Sequence, residues 1–313
     1  MIIDLDDTSS ARINAALVDI RRSTGCPALG MVLTLVIAAG DHLDHLDHLD
    51  HLDTVRAAAE AAREHPCRII AVTGSPAAPT GRLDAEIQIG GETGPGEALL
   101  LRLYGPLVEH ADSAVLPLLL PDTPVVTWWT DRAPDVPYRD PLGRLAQRRI
   151  TDAALASRPV EEIGRRARGY HPGDTDLAWT RLTPWRSLLA AALDQHPVTV
   201  TGGAVEAERD NPSAELLALW LRERLGVEVA RDDSAGPGIT AVRLRTGGGD
   251  IAVTRPDGRV AVLTMPGRVD RLVALKRRPE ADVVAEELRW LDPDDIYASV
   301  LRRALRREQV PPS

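Results

Sequence analysis

The sequence predicts a mixed α/β (α+β) fold, with an N-terminal α/β layered domain followed by a C-terminal domain that contains helices and an antiparallel β-meander. Two observations support this prediction. The N-terminal half alternates segments of helical periodicity with short apolar runs, and residues 31–38 read as a buried strand. Residues 227–265 instead contain short β-type runs separated by the turn sequences GGG and PDG, which are typical of hairpins.

A stretch rich in Pro and Asp, residues 130–143, separates the two regions. Domain boundaries commonly fall in segments of this composition. The chain of 313 residues is also long enough for two domains. We therefore predict domains at residues 1–140 and 141–313.

The N-terminal elements follow from periodicity and from start and stop signals. Thr8, Ser9 and Ser10 offer N-caps for a first helix, and the His65-Pro66 pair ends a second. The Gly-rich residues 90–96 lie between two strand candidates and predict a hairpin turn rather than a phosphate-binding loop. The predicted strands are residues 1–4, 31–38, 68–72, 84–89, 98–104 and 125–129, and the predicted helices are residues 8–23, 50–64 and 106–119.

The C-terminal elements carry similar signals. Pro184 marks the start of one helix, while Ser213 and Gly226 mark the start and the end of another. The predicted helices are residues 144–156, 160–168, 184–194, 213–225, 280–291 and 293–308. The predicted strands are residues 198–202, 227–230, 239–245, 250–254, 260–265 and 272–277.

Composition excludes several classes of function. The net charge of −9 argues against nucleic acid as the main partner, because binding to phosphate backbones needs a basic surface. The opening MIIDLDD is acidic where a signal peptide is basic, and the longest apolar run, residues 31–40, is too short to span a bilayer. We therefore expect a cytoplasmic protein with no membrane partner.

The two cysteines, Cys26 and Cys67, form no metal-binding or redox motif. We interpret them as reduced cytosolic thiols, with a regulatory disulfide between them as the alternative. A redox role for both cysteines stays open at this point.

A tandem repeat, DHLDHLDHLDHLD, occupies residues 41–53. His and Asp side chains bind divalent metals, so the repeat has the composition of a metal site. Its period of three does not match the helical period of about 3.6 residues, so the His side chains fan around a helix instead of converging. We therefore predict no metal site and interpret the repeat as a solvated segment, with metal binding as the alternative.

Common catalytic and cofactor-binding motifs are absent from the sequence, which has no GxGxxG after a strand, no P-loop, no HExxH and no GxSxG. No motif in the sequence therefore indicates a catalytic activity, and we predict no cofactor. The alternative is a sugar-phosphate- or nucleotide-binding α/β protein or enzyme, with an anion site lined by Arg148, Arg149 and Asp152. Ion pairs on a helix surface are the other interpretation of these three residues.

The run GDTDLAWTRLTPWR, residues 173–186, is the strongest candidate for a binding site. It contains Trp179, Arg181, Trp185 and Arg186, and Trp and Arg are enriched at interface hot spots. Because the chain has no Phe, core packing is the competing interpretation of these Trp side chains. The second candidate set consists of Arg148, Arg149, Trp128 and Trp129.

Four long strings carry a resemblance that spans most of the chain. They are EHPCRII at residues 64–70, LLLPDTPVVTWW at 118–129, RLAQRRITDA at 144–153 and GDTDLAWTRLTPWRSLLAAALD at 173–194. In this order they resemble the OpcA family, the glucose-6-phosphate dehydrogenase assembly proteins. The opening and closing segments resemble the actinobacterial members, whereas the repeat at residues 41–53 departs from the family pattern.

The resemblance implies a role without catalysis. Members of the family promote the assembly or activation of glucose-6-phosphate dehydrogenase, the entry enzyme of the oxidative pentose phosphate pathway. Related cyanobacterial proteins are associated with redox control of that enzyme, but neither Cys26 nor Cys67 is matched to a redox position. The expected partner is therefore glucose-6-phosphate dehydrogenase, contacted through the Trp- and Arg-rich residues named above.

Overall fold

The computed structural model describes residues 2–24, 30–39, 53–90, 97–195 and 198–308. The chain divides into two compact units. The first unit consists of Met1–Asp152, His171–Thr175 and Glu280–Pro293. The second unit consists of Ala153–Tyr170, Asp176–Pro279 and Asp294–Ser313. The domain boundary near residue 140 stays a prediction.

Strands and helices alternate along the chain. The strands are β1 (Ile2–Leu5), β2 (Leu33–Ala38), β3 (Cys67–Ser75), β4 (Arg82–Ile89), β5 (Glu97–Tyr104), β6 (Val125–Trp129), β7 (Arg148–Thr151), β8 (Asp174–Asp176), β9 (Val200–Ala207), β10 (Val229–Asp233), β11 (Ile239–Thr246), β12 (Ile251–Thr254), β13 (Val260–Thr264) and β14 (Arg271–Ala274). The helices are α1 (Ser10–Thr24), α2 (Asp53–Ala61), α3 (Ala111–Val115), α4 (Pro141–Leu145), α5 (Pro159–Gly169), α6 (Leu177–Thr180), α7 (Thr183–Gln195), α8 (Pro212–Leu225), α9 (Glu280–Arg289) and α10 (Asp295–Glu308).

The first unit is built on an eight-stranded sheet with the order β1-β4-β5-β3-β2-β6-β7-β8. The strands from β5 through β3, β2 and β6 to β7 are parallel, whereas β1, β4 and β5 pair antiparallel. β2 and most of β3 are buried and largely apolar, as expected of parallel strands covered on both faces. The predicted mixed α/β fold is confirmed.

Helices complete the first unit. Ile13, Leu17 and Ile20 of α1 recur at helical spacing and pack in one apolar cluster with Val36 and Ile70 of the sheet. α2 packs against α9 and also contacts β3.

The predicted helix at residues 106–119 forms only in part. It consists of a 3-10 turn (Gly105–His110), the short helix α3 and a second 3-10 turn (Leu116–Leu118). Pro117 lies at the start of the second turn. Proline has no N–H and crowds the preceding turn, so an α-helix does not continue through it.

The predicted helix at residues 144–156 was wrong. α4 ends at Leu145, and Arg148–Thr151 instead form β7, which pairs parallel with β6. All four residues of β7 are buried, and two of them are arginines. Their partners lie far away in the sequence, so tertiary pairing overrides the local helical pattern.

The second unit is built on a six-stranded sheet with the order β10-β9-β11-β12-β13-β14. β9 and the strands from β11 to β14 pair antiparallel, as the predicted meander requires. The assignment of residues 227–230 to that antiparallel meander was wrong, because β10 pairs parallel with β9. α8 connects these two strands, and a crossover helix is the usual link between parallel neighbours.

α8 begins before the predicted start signal at Ser213, whereas its end agrees with the prediction. Asn211 is the N-cap, and its side chain accepts a hydrogen bond from the backbone N–H of Ala214 at 2.9 Å. Gly226 follows the last turn with a φ of 66°, a left-handed conformation that glycine adopts without strain. The predicted stop at Gly226 is confirmed.

Candidate functional site

The run at residues 173–186 forms β8, α6 and the beginning of α7. Asp176 is the N-cap of α6, and its Oδ1 accepts a hydrogen bond from the backbone N–H of Ala178 at 2.9 Å. The same carboxylate accepts from the backbone N–H of Ala153 at 3.0 and 3.1 Å. These bonds compensate the buried carboxylate for its lost hydration and fix the segment that carries the tryptophans.

Trp179 lies in the core of the second unit, with 1% of its surface exposed. Its Nε1 donates a hydrogen bond to Oδ2 of Asp294 at 2.8 Å, and its ring lies 5.6 Å from that of Tyr297. The Arg186 guanidinium lies over the indole, 3.9 Å from the ring centroid. The indole is therefore fully engaged within its own unit.

Trp185 belongs to the same core and forms part of the wall of a cavity of about 100 Å³. The guanidinium carbon of Arg255 lies 4.9 Å from the centroid of its ring. Of the predicted binding cluster, Trp185 and Arg181 therefore border a cavity. The basic residues that line it are Arg181, Arg255, Lys276, Arg277 and Arg278.

Arg255 is a buried cation, with 5% of its surface exposed. Its Nη1 donates to the carbonyl oxygen of Leu275 at 2.8 Å, and its Nη2 donates to that of Ile239 at 3.0 Å. Burial lowers the pKa of the Arg255 guanidinium, the charge of Arg277 lowers it further, and Asp257 raises it. Arginine nevertheless stays protonated in proteins, so the wall of the cavity holds a buried positive charge.

Trp128 and Trp129 are both buried in β6 of the first unit. Trp129 packs closely against the backbone of α4. A Cβ placed on Gly143 would lie 3.2 Å from Cη2 of Trp129 and 1.8 Å from the carbonyl oxygen of Pro137, so only glycine fits there. These two rings are parts of the core and show little surface to a partner.

Arg148 is a buried residue of β7 that pairs with a carboxylate of α9. Its Nε and Nη2 donate to Oε2 of Glu287 at 3.0 and 2.5 Å, and its Nη1 donates to the carbonyl oxygen of Asp292 at 2.8 Å. Both side chains of the ion pair are about 5% exposed or less. All three guanidinium nitrogens are therefore engaged within the first unit.

Arg149 makes a similar internal set of contacts. Its Nε forms a short ion pair with Asp174, and its Nη1 and Nη2 donate to the carbonyl oxygens of Ala146 and Pro172 at 2.6 and 2.5 Å. Burial raises the pKa of Asp174, an effect that the hydrogen bond and charge of Arg149 partly offset. An anion site on Arg148 and Arg149 would have to displace these internal partners.

The predicted partner-binding residues differ in exposure. Trp128, Trp129, Trp179, Trp185, Arg148 and Arg149 are buried, whereas Arg181 and Arg186 are half-buried. Their role in partner binding stays a prediction.

Sequence reasoning did not single out Trp290, which follows α9 directly and is 67% exposed. The exposure of Trp290 depends on the packing around α9, and no short sequence motif predicts that packing.

The cysteine and metal predictions fall partly outside the described residues. Cys26 and residues 41–52 of the repeat lie outside them. Cys67 is a free, buried thiol, and burial raises its pKa to about 12. Within the described ranges there is no cluster of His, Cys, Asp and Glu that could hold a metal ion, and no helix there is long and apolar enough to cross a membrane.

Family models identify the class of this two-unit α/β protein. The model described as "Glucose-6-phosphate dehydrogenase subunit N-terminal domain" matches residues 58–168, and the model of the C-terminal domain of the same subunit matches residues 172–301. The two matches follow each other in order and together cover well over half of the chain. The chain belongs to the OpcA family of glucose-6-phosphate dehydrogenase assembly proteins.

A curated relative carries the same family name. The OxPP cycle protein OpcA of Synechocystis sp. (strain ATCC 27184 / PCC 6803 / Kazusa) is 27% identical to this chain over 139 residues. The alignment covers 41% of this chain and 29% of the relative. The match therefore spans less than a third of the relative's length.

Two similar solved structures are a dehydrogenase and a reductase. Glucose-6-phosphate 1-dehydrogenase from Mycobacterium avium has a TM-score of 0.50 at 10% identity, covering 90% of this chain and 93% of that one. Biliverdin reductase from Synechocystis sp. PCC 6803 has a TM-score of 0.44 at 10% identity, covering 88% and 98%. At such low identity the first likeness concerns the fold alone.

Proposed function

We propose that the protein binds glucose-6-phosphate dehydrogenase and promotes its active oligomeric state, without catalysing a reaction itself. The observation that carries this proposal is the ordered pair of family matches at residues 58–168 and 172–301, whose descriptions name that dehydrogenase. The OpcA relative supports the same assignment. A cytoplasmic location is part of the proposal, because the protein has to meet a metabolic enzyme.

Promotion of an active state requires preferential binding to that state. A ligand shifts a two-state equilibrium only by the difference between its affinities for the two states. Moving the ratio from 1:99 to 99:1 needs a preference of about 10⁴-fold, or about 5.5 kcal/mol. The protein therefore has to contact a surface of the dehydrogenase that differs between its active and inactive assemblies.

Trp290 is the contact residue that exposure favours. It is 67% exposed, and truncation of Trp at interfaces commonly costs more affinity than that of other residue types. Arg289 beside it forms an exposed ion pair with Glu64 at 2.9 Å, so charged groups border the indole. Arg181 and Arg186, which are half-buried, stay as the predicted contacts of the Trp- and Arg-rich run.

The decisive experiment mixes the purified full chain with the glucose-6-phosphate dehydrogenase of the same organism. Light scattering gives the mass of each species, and the dehydrogenase rate is followed in the same samples. We expect a complex heavier than either protein alone, together with a higher rate. The controls are each protein alone at the same concentration. No complex and no change in rate, with both proteins folded, would reject the proposal.

A further inference from the structure

The cavity beside Trp185 in the second unit is strongly cationic. Five of its lining residues carry a positive charge, and none of the residues that line it is an Asp or a Glu. The cations come from separate parts of the unit, namely the segment after α6, the end of β12 and the segment after β14. Like charges repel, so a fold that gathers them in one cavity has positive potential there to bind an anion.

Arg255 is the buried member of this group. Its two Nη atoms donate to backbone carbonyls, but its Nε has no hydrogen-bond acceptor among the described residues. More than nine-tenths of the side chain is buried, and it lines the cavity. Buried charges are ordinarily paired with a counter-charge, and buried donors are ordinarily bonded. A bound anion would supply the counter-charge that no carboxylate lining the cavity provides.

The charged side chains near Arg255 do not neutralise the positive charge of the cavity. Lys276 and Arg277 are exposed and form no ion pair with any residue in the described part of the chain. Asp257 is the carboxylate that acts on Arg255, but its Oδ1 accepts hydrogen bonds from the backbone N–H groups of Arg259 and Val260 at 2.9 and 3.3 Å. The Asp257 carboxylate therefore stabilises the turn at residues 257–260 and does not line the cavity.

Two helix N-termini border the same cavity. Pro184 and Trp185 lie in the first turn of α7, while Asn211 and Ser213 lie at the start of α8. Backbone N–H groups at a helix N-terminus carry partial positive charge and favour anions, phosphate in particular. The two dipoles add to the fixed charges of the arginines and the lysine.

We propose that this cavity binds a phosphate monoester, with the phosphate held by Arg255, Arg277 and Lys276. A dianion with several acceptor oxygens matches a set of convergent donors better than a single carboxylate does. Trp185, Ile239 and Leu275 supply apolar wall beside these cations for the organic part of the ligand.

Isothermal titration calorimetry on the full chain, without dehydrogenase, tests the site. The probes are inorganic phosphate, glucose 6-phosphate and glucose, each at low and at raised sodium chloride. We expect both phosphate-bearing probes to bind with one site per chain and more weakly at high salt, and glucose not to bind. Because the dehydrogenase is absent, this result is independent of the proposed assembly function.

Single substitutions test which side chains of the cavity bind the phosphate. Arg277→Gln changes an exposed side chain, so the fold stays intact, and it should weaken glucose 6-phosphate binding at least tenfold. Arg255→Gln should weaken it further. Arg224→Gln is the matched control, because it removes an exposed arginine of the same unit outside the cavity and should leave affinity unchanged.

Three results would overturn the site. The first is no heat of binding with either phosphate-bearing probe at millimolar concentration. The second is affinity that Arg277→Gln and a folded Arg255→Gln both leave at the wild-type value. The third is glucose binding as tightly as glucose 6-phosphate, which would show that the phosphate is not recognised.

Discussion

Arg255 lies over the indole ring of Trp185, with its guanidinium carbon 4.9 Å from the ring centroid. Both side chains are buried, and the two Nη atoms of Arg255 hold the backbone at Ile239 and Leu275. The indole of Trp185 therefore packs in the core of the second unit and also contacts the buried guanidinium of Arg255. A tryptophan that the sequence suggests for partner binding thus supports the wall of a cavity.

Replacing Trp185 should destabilise the protein strongly. Trp185→Ala removes a buried indole from the core and leaves a cavity under Arg255, so the free energy of unfolding should fall by about 3–5 kcal/mol. Urea denaturation followed by circular dichroism measures the change. Trp290→Ala is the matched control, since it truncates an exposed indole and should change stability by no more than about 0.5 kcal/mol. Equal losses in both variants would contradict the placement of Trp185 in the core.

The contribution of the buried ion pair between Arg148 and Glu287 can be measured by comparing the stability of a single variant with that of a double variant. Arg148→Ala takes the charge of Arg148 away from the buried carboxylate of Glu287, so it should lower the free energy of unfolding by about 3–5 kcal/mol. The double variant Arg148→Met, Glu287→Leu keeps apolar volume without charge and should regain most of that loss.

Chemical denaturation of the wild type and of the two variants gives the comparison. Circular dichroism before denaturation serves as the check on folding. A double variant that is no more stable than Arg148→Ala would mean that Arg148 contributes through packing and backbone contacts, such as its bond to the Asp292 carbonyl, rather than through the ion pair.

Local signals in the sequence predicted elements whose boundaries have a chemical cause. Gly226 ends α8 as predicted, and the Gly247–Gly249 and Pro256–Gly258 turns separate the strands of the meander, whereas the N-cap of α8 is Asn211 instead of the predicted Ser213. The same approach failed at Arg148, because its strand conformation depends on Glu287, 139 residues away in the sequence. The helical pattern of a short segment cannot predict an ion pair with a residue as distant in the sequence as Glu287.

The cationic cavity was beyond sequence reasoning for the same reason. Arg181, Arg255 and Arg277 come from separate elements, and each alone looks like an ordinary arginine. Only the folded second unit brings them together. Hot-spot statistics likewise highlighted Trp179, whereas the fold buries that residue and exposes Trp290.

Glu97 should make the protein sensitive to acid. Burial alone would raise the pKa of Glu97, but the hydrogen bonds and charges of Arg21 and Arg68 hold it below its ordinary value. The arginine nitrogens lie 2.5–2.9 Å from its carboxylate oxygens. A carboxyl group with a lowered pKa in the folded state stabilises above its unfolded pKa of about 4.3, and this stabilisation is lost as the pH falls through the folded pKa.

The expected result is that wild type and Glu97→Gln differ most in stability near neutral pH and converge below about pH 4. Urea denaturation at a series of pH values measures both proteins. Arg63→Gln, which removes an exposed cation of the first unit outside the Glu97 cluster, should keep the wild-type pH dependence. A constant difference between wild type and Glu97→Gln across the acid range would contradict the lowered pKa.

Cys67 should be unreactive in the folded protein. Burial raises the pKa of its thiol to about 12, so almost no thiolate is present at pH 8, and the thiolate is the reactive form. In the variant Cys26→Ser, where Cys67 is the remaining cysteine, iodoacetamide should modify the unfolded protein but not the native one. Mass spectrometry counts the adducts. Rapid native labelling would place Cys67 at an accessible position and favour the alternative of a redox role.

Trp290 should be the side chain whose removal weakens binding to the dehydrogenase without affecting the fold. Its indole is 67% exposed, so Trp290→Ala loses no core packing. If the indole is an anchor of the interface, its truncation should cost about 2 kcal/mol or more, which corresponds to a roughly 30-fold weaker complex.

Biolayer interferometry with immobilised dehydrogenase measures the affinity. Leu116→Ala is the control, because it truncates another exposed apolar side chain of the first unit, 58% exposed, and should bind like the wild type. A folded Trp290→Ala that binds as tightly as Leu116→Ala would remove the indole from the interface. In that case Arg181→Ala combined with Arg186→Ala becomes the next variant, because those two residues are the members of the predicted cluster that retain exposed surface.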